Sequence, residues 1–344
     1  MQVTNPYALL SILIVLFSLN ACDESTGGDC QVLPSTYNIY GSSVTYPEQT
    51  EQLTMLSELS TYMKQVNSGN SVDASVLKAM FDNSGSVFTT TFSSNLKANC
   101  ADFMQPIIEG RMDKLATASA STSAGSNGVA GLVSSSDGSA QYLFDENGME
   151  HVQLIEKGIM GAVLYYQVVD VLLDEVGLSG NDANSTWDKA YGYLGAPLNF
   201  PTNTDDLLFW ANYCNQRNDI LNTNRELANA FLQGKCGILN DDNTYIALGI
   251  KNVREEWERV VVSTAISYLN AAVSNIADDA LRNHELSEAL AFIECLAYSP
   301  LTHVDSGKAS ELWATIGTNL YEVSIDDIQA VKDELSSLYD LDAV

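Results

Sequence analysis

From Pro47 onward, apolar residues recur along the chain at intervals of three and four, the spacing that puts them on one face of a helix. Leu53, Leu56, Leu59, Tyr62, Met63 and Val66 form such a stripe within Thr50 to Val66. Asp73, followed by a short apolar-periodic run, predicts a capped helix through Phe81. Ala101 to Ala118 predicts another, with Phe103, Ile107, Ile108, Met112 and Leu115 inward. Ser119 to Ser139 is rich in Ser, Gly and Ala and reads as a loop. Met149 to Val176 is the longest apolar segment, and Asp170 is the single charge between Gly158 and Leu173. Gln167 and Asp170 interrupt it too early for a membrane span of ~20 clean residues, so it predicts a buried central helix. Gly158 and Gly161, three apart, would let a neighbouring helix approach closely.

Further helical patterns run over Asn184 to Leu194, Asp205 to Cys236 (stopped at Gly237), Tyr245 to Ile276, Asp278 to Tyr298 and Ser324 to Leu341. In the second of the long runs, the pairs Arg254–Glu258 and Glu255–Arg259 stand four apart and predict an exposed, ion-paired face. No stretch alternates convincingly, which argues against a substantial sheet. The expected fold is all-α, a helical bundle over 47–344 with a division near Pro201 into two helical halves.

Before Pro47 the pattern changes. Tyr7 to Leu19 is an apolar run with the length of a signal-peptide core, and it is followed by Leu19-Asn20-Ala21-Cys22. The ending resembles the bacterial lipobox, in which the cysteine is acylated and becomes the mature N-terminus. The expectation is a lipoprotein signal peptide over 1–22, lipidation at Cys22, and a tether and N-terminal segment over 23–46. An ordinary cleavable signal peptide is the alternative, since no Lys or Arg precedes the run and Asn20 is unusual at its place. Export permits disulfides. Cys30, Cys100, Cys214, Cys236 and Cys295 remain after Cys22, an odd number that leaves at least one thiol unpaired. A single helix between Cys214 and Cys236 would hold them roughly 33 Å apart, so their pairing requires a break in the chain. Cys295, in an apolar helical pattern, reads as a buried thiol.

The 44 acidic residues against 16 basic give a net charge of −28, scattered along the chain rather than clustered. Such a surface repels phosphate backbones and excludes nucleic acid as a partner; it would concentrate cations and basic peptides nearby, but its scatter favours the alternative of plain solubility, in a salty medium that screens it. No Gly-x-Ser-x-Gly, phosphate-binding loop, dinucleotide fingerprint or Cys-x-x-Cys occurs.

Two constellations carry candidate chemistry. His284 and Glu288 stand four apart on one helical face, a spacing that suits two metal ligands. Glu285 between them makes His-Glu-x-x-Glu, short of the zincin pattern by its second His. Glu288 and Glu294 lie in a pattern apolar almost all round and, once buried, need partners, so pairing with Tyr, Trp or backbone groups is the structural alternative to a metal. Asp188, with Trp187 and Tyr191 beside it, is the second candidate and would join His284 and Glu288 if the two helices pack together. A capping or packing cluster is its alternative. His151 and His303 have no carboxylate at useful helical spacing and read as surface or loop residues.

Four segments together resemble an uncharacterised family of Gram-negative bacterial lipoproteins related to the imelysin-like group. They are Gln49 to Leu59, Glu156-Lys157-Gly158-Ile159-Met160-Gly161-Ala162, Trp187-Asp188-Lys189-Ala190-Tyr191-Gly192-Tyr193-Leu194-Gly195, and His284 to Phe292 closing at Ser299-Pro300. The resemblance implies an imelysin-like all-helical envelope protein, held by its lipid to the outer membrane and facing the periplasm or the cell surface. The wider group includes components of iron uptake and a metallopeptidase, and carries a Gly-x-His-x-x-Glu metal motif that is missing here. The related family shows a His before the Trp-Asp and a Glu after it, where this chain has Ser185-Thr186 and Lys189. The resulting expectation is a non-catalytic binding lipoprotein serving iron, haem or nutrient acquisition, taking a cationic or iron-containing ligand, with an envelope transporter as partner. A divalent metal or iron is the cofactor it would hold. An imelysin-like metallopeptidase and a structural envelope protein are the alternatives.

Overall fold

A computed structural model describes residues 30–178 and 182–341. The apolar run at Tyr7 to Leu19, the lipidation expected at Cys22 and most of the tether lie outside the described residues.

The periodicity is realised as helices. Pro47–Lys64 (α1) places Leu53, Leu56, Leu59 and Met63 inward. Ala74–Phe81 (α2) is capped by the Asp73 carboxylate, which accepts from Ser75 N–H. Gln105–Ser119 (α3) follows. His151–Ile159 (α4) continues through two π-helical stretches, Met160–Tyr165 and Gln167–Leu172, into Leu173–Leu178 (α5). This is the buried central helix the apolar run predicts. Its wide turns leave carbonyls to outside donors: Met160 O accepts from Trp210 Nε1 at 2.9 Å, Ala162 O from Ala101 N at 2.9 Å, and Val169 O from Arg254 Nε at 2.8 Å. Ala183–Gly192 (α6), Phe209–Leu221 (α7), Thr223–Leu239 (α8), Asn243–Ser274 (α9), Asp279–Leu296 (α10), Ser306–Ile316 (α11) and Ile325–Tyr339 (α12) complete the helices.

The architecture is predominantly all-α, with α9 at its centre packed against α8, α10 and α12, and α10 against α4. One continuous buried cluster draws on residues from Tyr37 to Leu341, on both sides of Pro201. Gly161 permits the α4–α10 approach: a Cβ there would lie 3.2 Å from Cys295 Cβ and 3.1 Å from the Tyr298 ring. A disulfide joins Cys30 to Cys236 and staples the N-terminal segment to α8, while Cys100, Cys214 and Cys295 are buried thiols. The partner of Cys236 is therefore contributed from 206 residues away, beyond anything local spacing shows.

Several local expectations are corrected. The Ser/Gly/Ala-rich stretch is not all loop: Gly131–Ser134 (β1) pairs antiparallel with Gln141–Phe144 (β2), with Leu132 opposite Leu143 and Val133 opposite Tyr142. Phe103 and Ile107 face outward, because α3 turns Ile108, Met112 and Leu115 to the core. Gly237 does not stop α8; it lies within the helix, where a Cβ would fall 2.6 Å from Ile246 N at the start of α9. The Arg254–Glu258 pair does not form. Arg254 reaches Asp174 at 2.5 Å, and Glu258 turns inward to Ser299, Tyr339 and His303.

Candidate functional site

The β1–β2 hairpin, the start of α4 and the middle of α10 converge on His284. A tight turn precedes α4: Asp145 Oδ1 accepts from Asn147 N and Met149 N, both at 2.9 Å, and its Oδ2 meets His151 Nε2 at 2.9 Å. His151 is thus buried on a carboxylate six residues before it, not a surface residue. The turn delivers Glu150 into the interior, where its N–H donates to Ser287 Oγ at 2.9 Å and its Oε2 lies 2.6 Å from His284 Nδ1. On the other side of the ring, His284 Nε2 lies 3.6 Å from Glu288 Oε1. Tyr142, from β2, stacks on the imidazole at 4.1 Å with an interplanar angle of 6°.

Below the imidazole lies Lys157, buried on α4. Its ammonium bonds Glu156 and stands 3.9 Å from Glu288 Oε1. Glu156 also receives the Ser60 hydroxyl and pairs with Lys64 at 2.7 Å, which ties α1 to α4. Tyr213, from α7, donates to Glu288 Oε2 at 3.2 Å, and Lys157 sits 5.5 Å from the centre of its ring. Farther along the same helices, Glu294 is held bidentately by Arg111, at 2.8 and 2.9 Å. Buried Glu288 and half-buried Glu294 have therefore found cations and a tyrosine.

The electrostatics follow from this order. Burial disfavours the charged imidazole, but Glu150 and then Glu288 outweigh it and raise the His284 pKa above its usual 6.5. Burial pushes the Glu156 carboxyl up, and Lys157 and Lys64 overcome this and bring it down to about 2. Burial also opposes the Lys157 ammonium, which Glu156 and Glu288 nonetheless hold above the ordinary lysine range. Glu285 is raised, first by burial; its Oε1 accepts from Asn275 Nδ2 at 2.8 Å.

The place of a cation beside Glu288 is taken by the Lys157 ammonium, and His284 Nδ1 is occupied by Glu150. Among the described residues, no group of three or more His, Cys, Asp or Glu side chains is placed to hold an ion.

Asp188 belongs to a second cluster and does not join His284 and Glu288. Its Oδ1 is 2.5 Å from Lys235 Nζ and accepts from Tyr37 OH at 3.0 Å; Lys235 also reaches Asn184 Oδ1 at 2.6 Å. Burial raises the Asp188 carboxyl and lowers the Lys235 ammonium, and their ion pair opposes both shifts. Trp187 is fully buried and donates to Phe231 O at 2.9 Å; Tyr191 stacks on Tyr37 at 3.7 Å and donates to Pro197 O at 2.7 Å. These two aromatic side chains are core rather than site lining. Of the remaining histidines, His303 lies in a loop as expected, with Nδ1 3.1 Å from Glu258 Oε1.

Sequence reading brought out His284, Glu285 and Glu288 but not Glu150, Lys157 or Tyr142. A signal for one of them existed: Glu156-Lys157 is a charged pair at the head of the longest apolar run, a place where charge has to be paired.

A helical core built around such internal charge networks, carrying one small hairpin, defines the class. A family model described as a domain of unknown function (DUF4856) matches residues 84–186 and 181–311. The chain belongs to that family. No curated protein and no solved structure matches it.

Proposed function

We propose that this protein is a lipid-anchored, non-catalytic binding protein of the cell envelope, serving the acquisition of iron, haem or another nutrient, with an envelope transporter as its partner. One observation carries the reading: the titratable groups at the heart of the molecule bond one another. His284 lies between Glu150 and Glu288, Lys157 serves Glu156 and Glu288, and Tyr142 covers the imidazole. Such a network fixes α1, α4, α7 and α10 rigidly together. A metallopeptidase needs side chains that hold a metal with one position open, and a general base beside it; among the described residues no group of three or more His, Cys, Asp or Glu side chains is placed to hold an ion. A binding protein asks only for a rigid frame and a cleft with a few polar groups. The net charge of −28 favours cationic ligands at the surface, and the Leu19-Asn20-Ala21-Cys22 ending supports an anchor at Cys22.

Two measurements test this. Intact-mass analysis of the envelope form is expected to show an acylated N-terminal Cys22, and an unmodified N-terminus elsewhere refutes the anchor. The soluble domain, incubated with unfolded peptides and Zn²⁺, is expected to cleave nothing and to bind Fe³⁺ or hemin saturably. Peptide turnover lost in His284→Ala would overturn the reading in favour of a peptidase.

A further inference from the structure

The α1 helix has a second face that the core does not use. Opposite Leu53, Leu56 and Leu59, it presents Thr54, Ser57 and Thr61, and Gln65 continues the line in the 3₁₀ turn that follows. These residues form one wall of a surface cavity of about 710 Å³, inside the range of roughly 300–1,000 Å³ common for small-molecule sites. The opposite wall is Val87 and Thr89, and the floor is Tyr62, Val76 and Met80.

The cavity is held in shape by its own bonds. Glu58 accepts both Thr89 N–H at 3.0 Å and Thr89 Oγ1 at 2.8 Å, which pins the far wall to α1. The Tyr62 hydroxyl accepts from Asp73 N at 3.1 Å, which fixes the ring as part of the floor.

The chemistry of the walls is selective. Thr54 and Thr61 donate to Thr50 O and Ser57 O, at 2.8 and 2.9 Å, so their oxygen lone pairs are what they offer a ligand. The Ser57 hydroxyl and the Gln65 carboxamide carry no hydrogen bond within the described protein and offer donors as well as acceptors. Glu58 is the single charged residue of the lining and is already bonded to Thr89. In a chain of net charge −28, this cavity is therefore almost neutral. It selects neither cations nor anions. It suits a molecule that is uncharged, carries several hydroxyls, and has an apolar face to lay on Tyr62, Val76 and Met80.

We infer that this cavity binds a neutral saccharide, its hydroxyls meeting the α1 side chains and its C–H face meeting the Tyr62 ring. The inference names a nutrient class for the binding role proposed above and rests on that role. The test is calorimetric titration of the soluble domain with neutral trisaccharides built from glucose, mannose, galactose or N-acetylglucosamine. At least one is expected to bind saturably at one site per chain. Thr61→Arg, at an exposed position, is expected to fill the cavity and weaken binding at least tenfold with an unchanged Tm, and Gln65→Ala to weaken it several-fold. Absence of saturable binding across the panel, or binding that Thr61→Arg leaves intact, overturns the inference. Fe³⁺ or hemin binding that persists without saccharide binding sinks this site alone, whereas peptide cleavage with no ligand binding sinks the binding role as well.

Discussion

Replacing Gly249 by alanine tests how closely the two longest-packed helices are held. In α9, Gly249 faces Gly234 of α8, and an added Cβ would lie 2.5 Å from Gly234 N and 3.3 Å from the Trp187 ring. Backbone cannot swing away as a side-chain end can, so the helices must part by about 1 Å to restore ordinary contact of roughly 3.5–4 Å. A gap of that size forfeits a quarter to a half of the local dispersion energy across the interface. Overpacking of this kind costs about 1–3 kcal/mol. Alanine returns about 1 kcal/mol of helix propensity, and the net expectation is a loss of about 0–2 kcal/mol.

Gly110→Ala supplies the opposite sign. Gly110 lies inside α3 with nothing within 4 Å of the position of a Cβ, so only the propensity gain of about 0.5–1 kcal/mol remains. Urea unfolding followed by far-ultraviolet circular dichroism measures both, with the slope m expected unchanged. Gly249→Ala should be the less stable of the two, by about 0.5–3 kcal/mol. A Gly249→Ala protein more stable than the parent, or a destabilised Gly110→Ala, would refute the packing argument.

Three other outcomes are expected. Cys30→Ser or Cys236→Ser, which opens a link between residues 206 apart, should lower stability by roughly 2–5 kcal/mol, and reductant should do the same to the parent but nothing to the variants. Because the folded pKa of His284 is raised above 6.5, the stability it contributes is complete below that pH and is lost as pH rises through the folded value. The Tm difference between parent and His284→Gln should therefore narrow as pH is raised from about 6.5, and a constant difference would argue against a charged His284. Lys235→Met leaves Asp188 buried without its cation and should cost about 3–5 kcal/mol in urea melts, while Lys235→Met with Asp188→Asn recovers a large part. Equal losses in the single and double variants would mean that the pair is not coupled.

The sequence by itself determined the helices, because their signal is local. The i, i+3, i+4 stripe of α1, the Asp73 cap, and the apolar run that α4 begins each arise from residues a few positions apart. It also marked Glu288 and Glu294 as acids that need partners once buried, and His284 and Asp188 as candidate site residues. Which partners they took was decided by tertiary structure alone. Glu150 reaches His284 across 134 residues, Lys235 reaches Asp188 across 47, and Cys30 reaches Cys236 across 206. The β1–β2 hairpin that sets Tyr142 on His284 was hidden in a Ser/Gly/Ala-rich stretch too short in apolar alternation to read. The reason is the same in each case. Helix periodicity is written by hydrogen bonds four residues long, whereas a buried charge takes whichever opposite group the packing of distant helices brings to it.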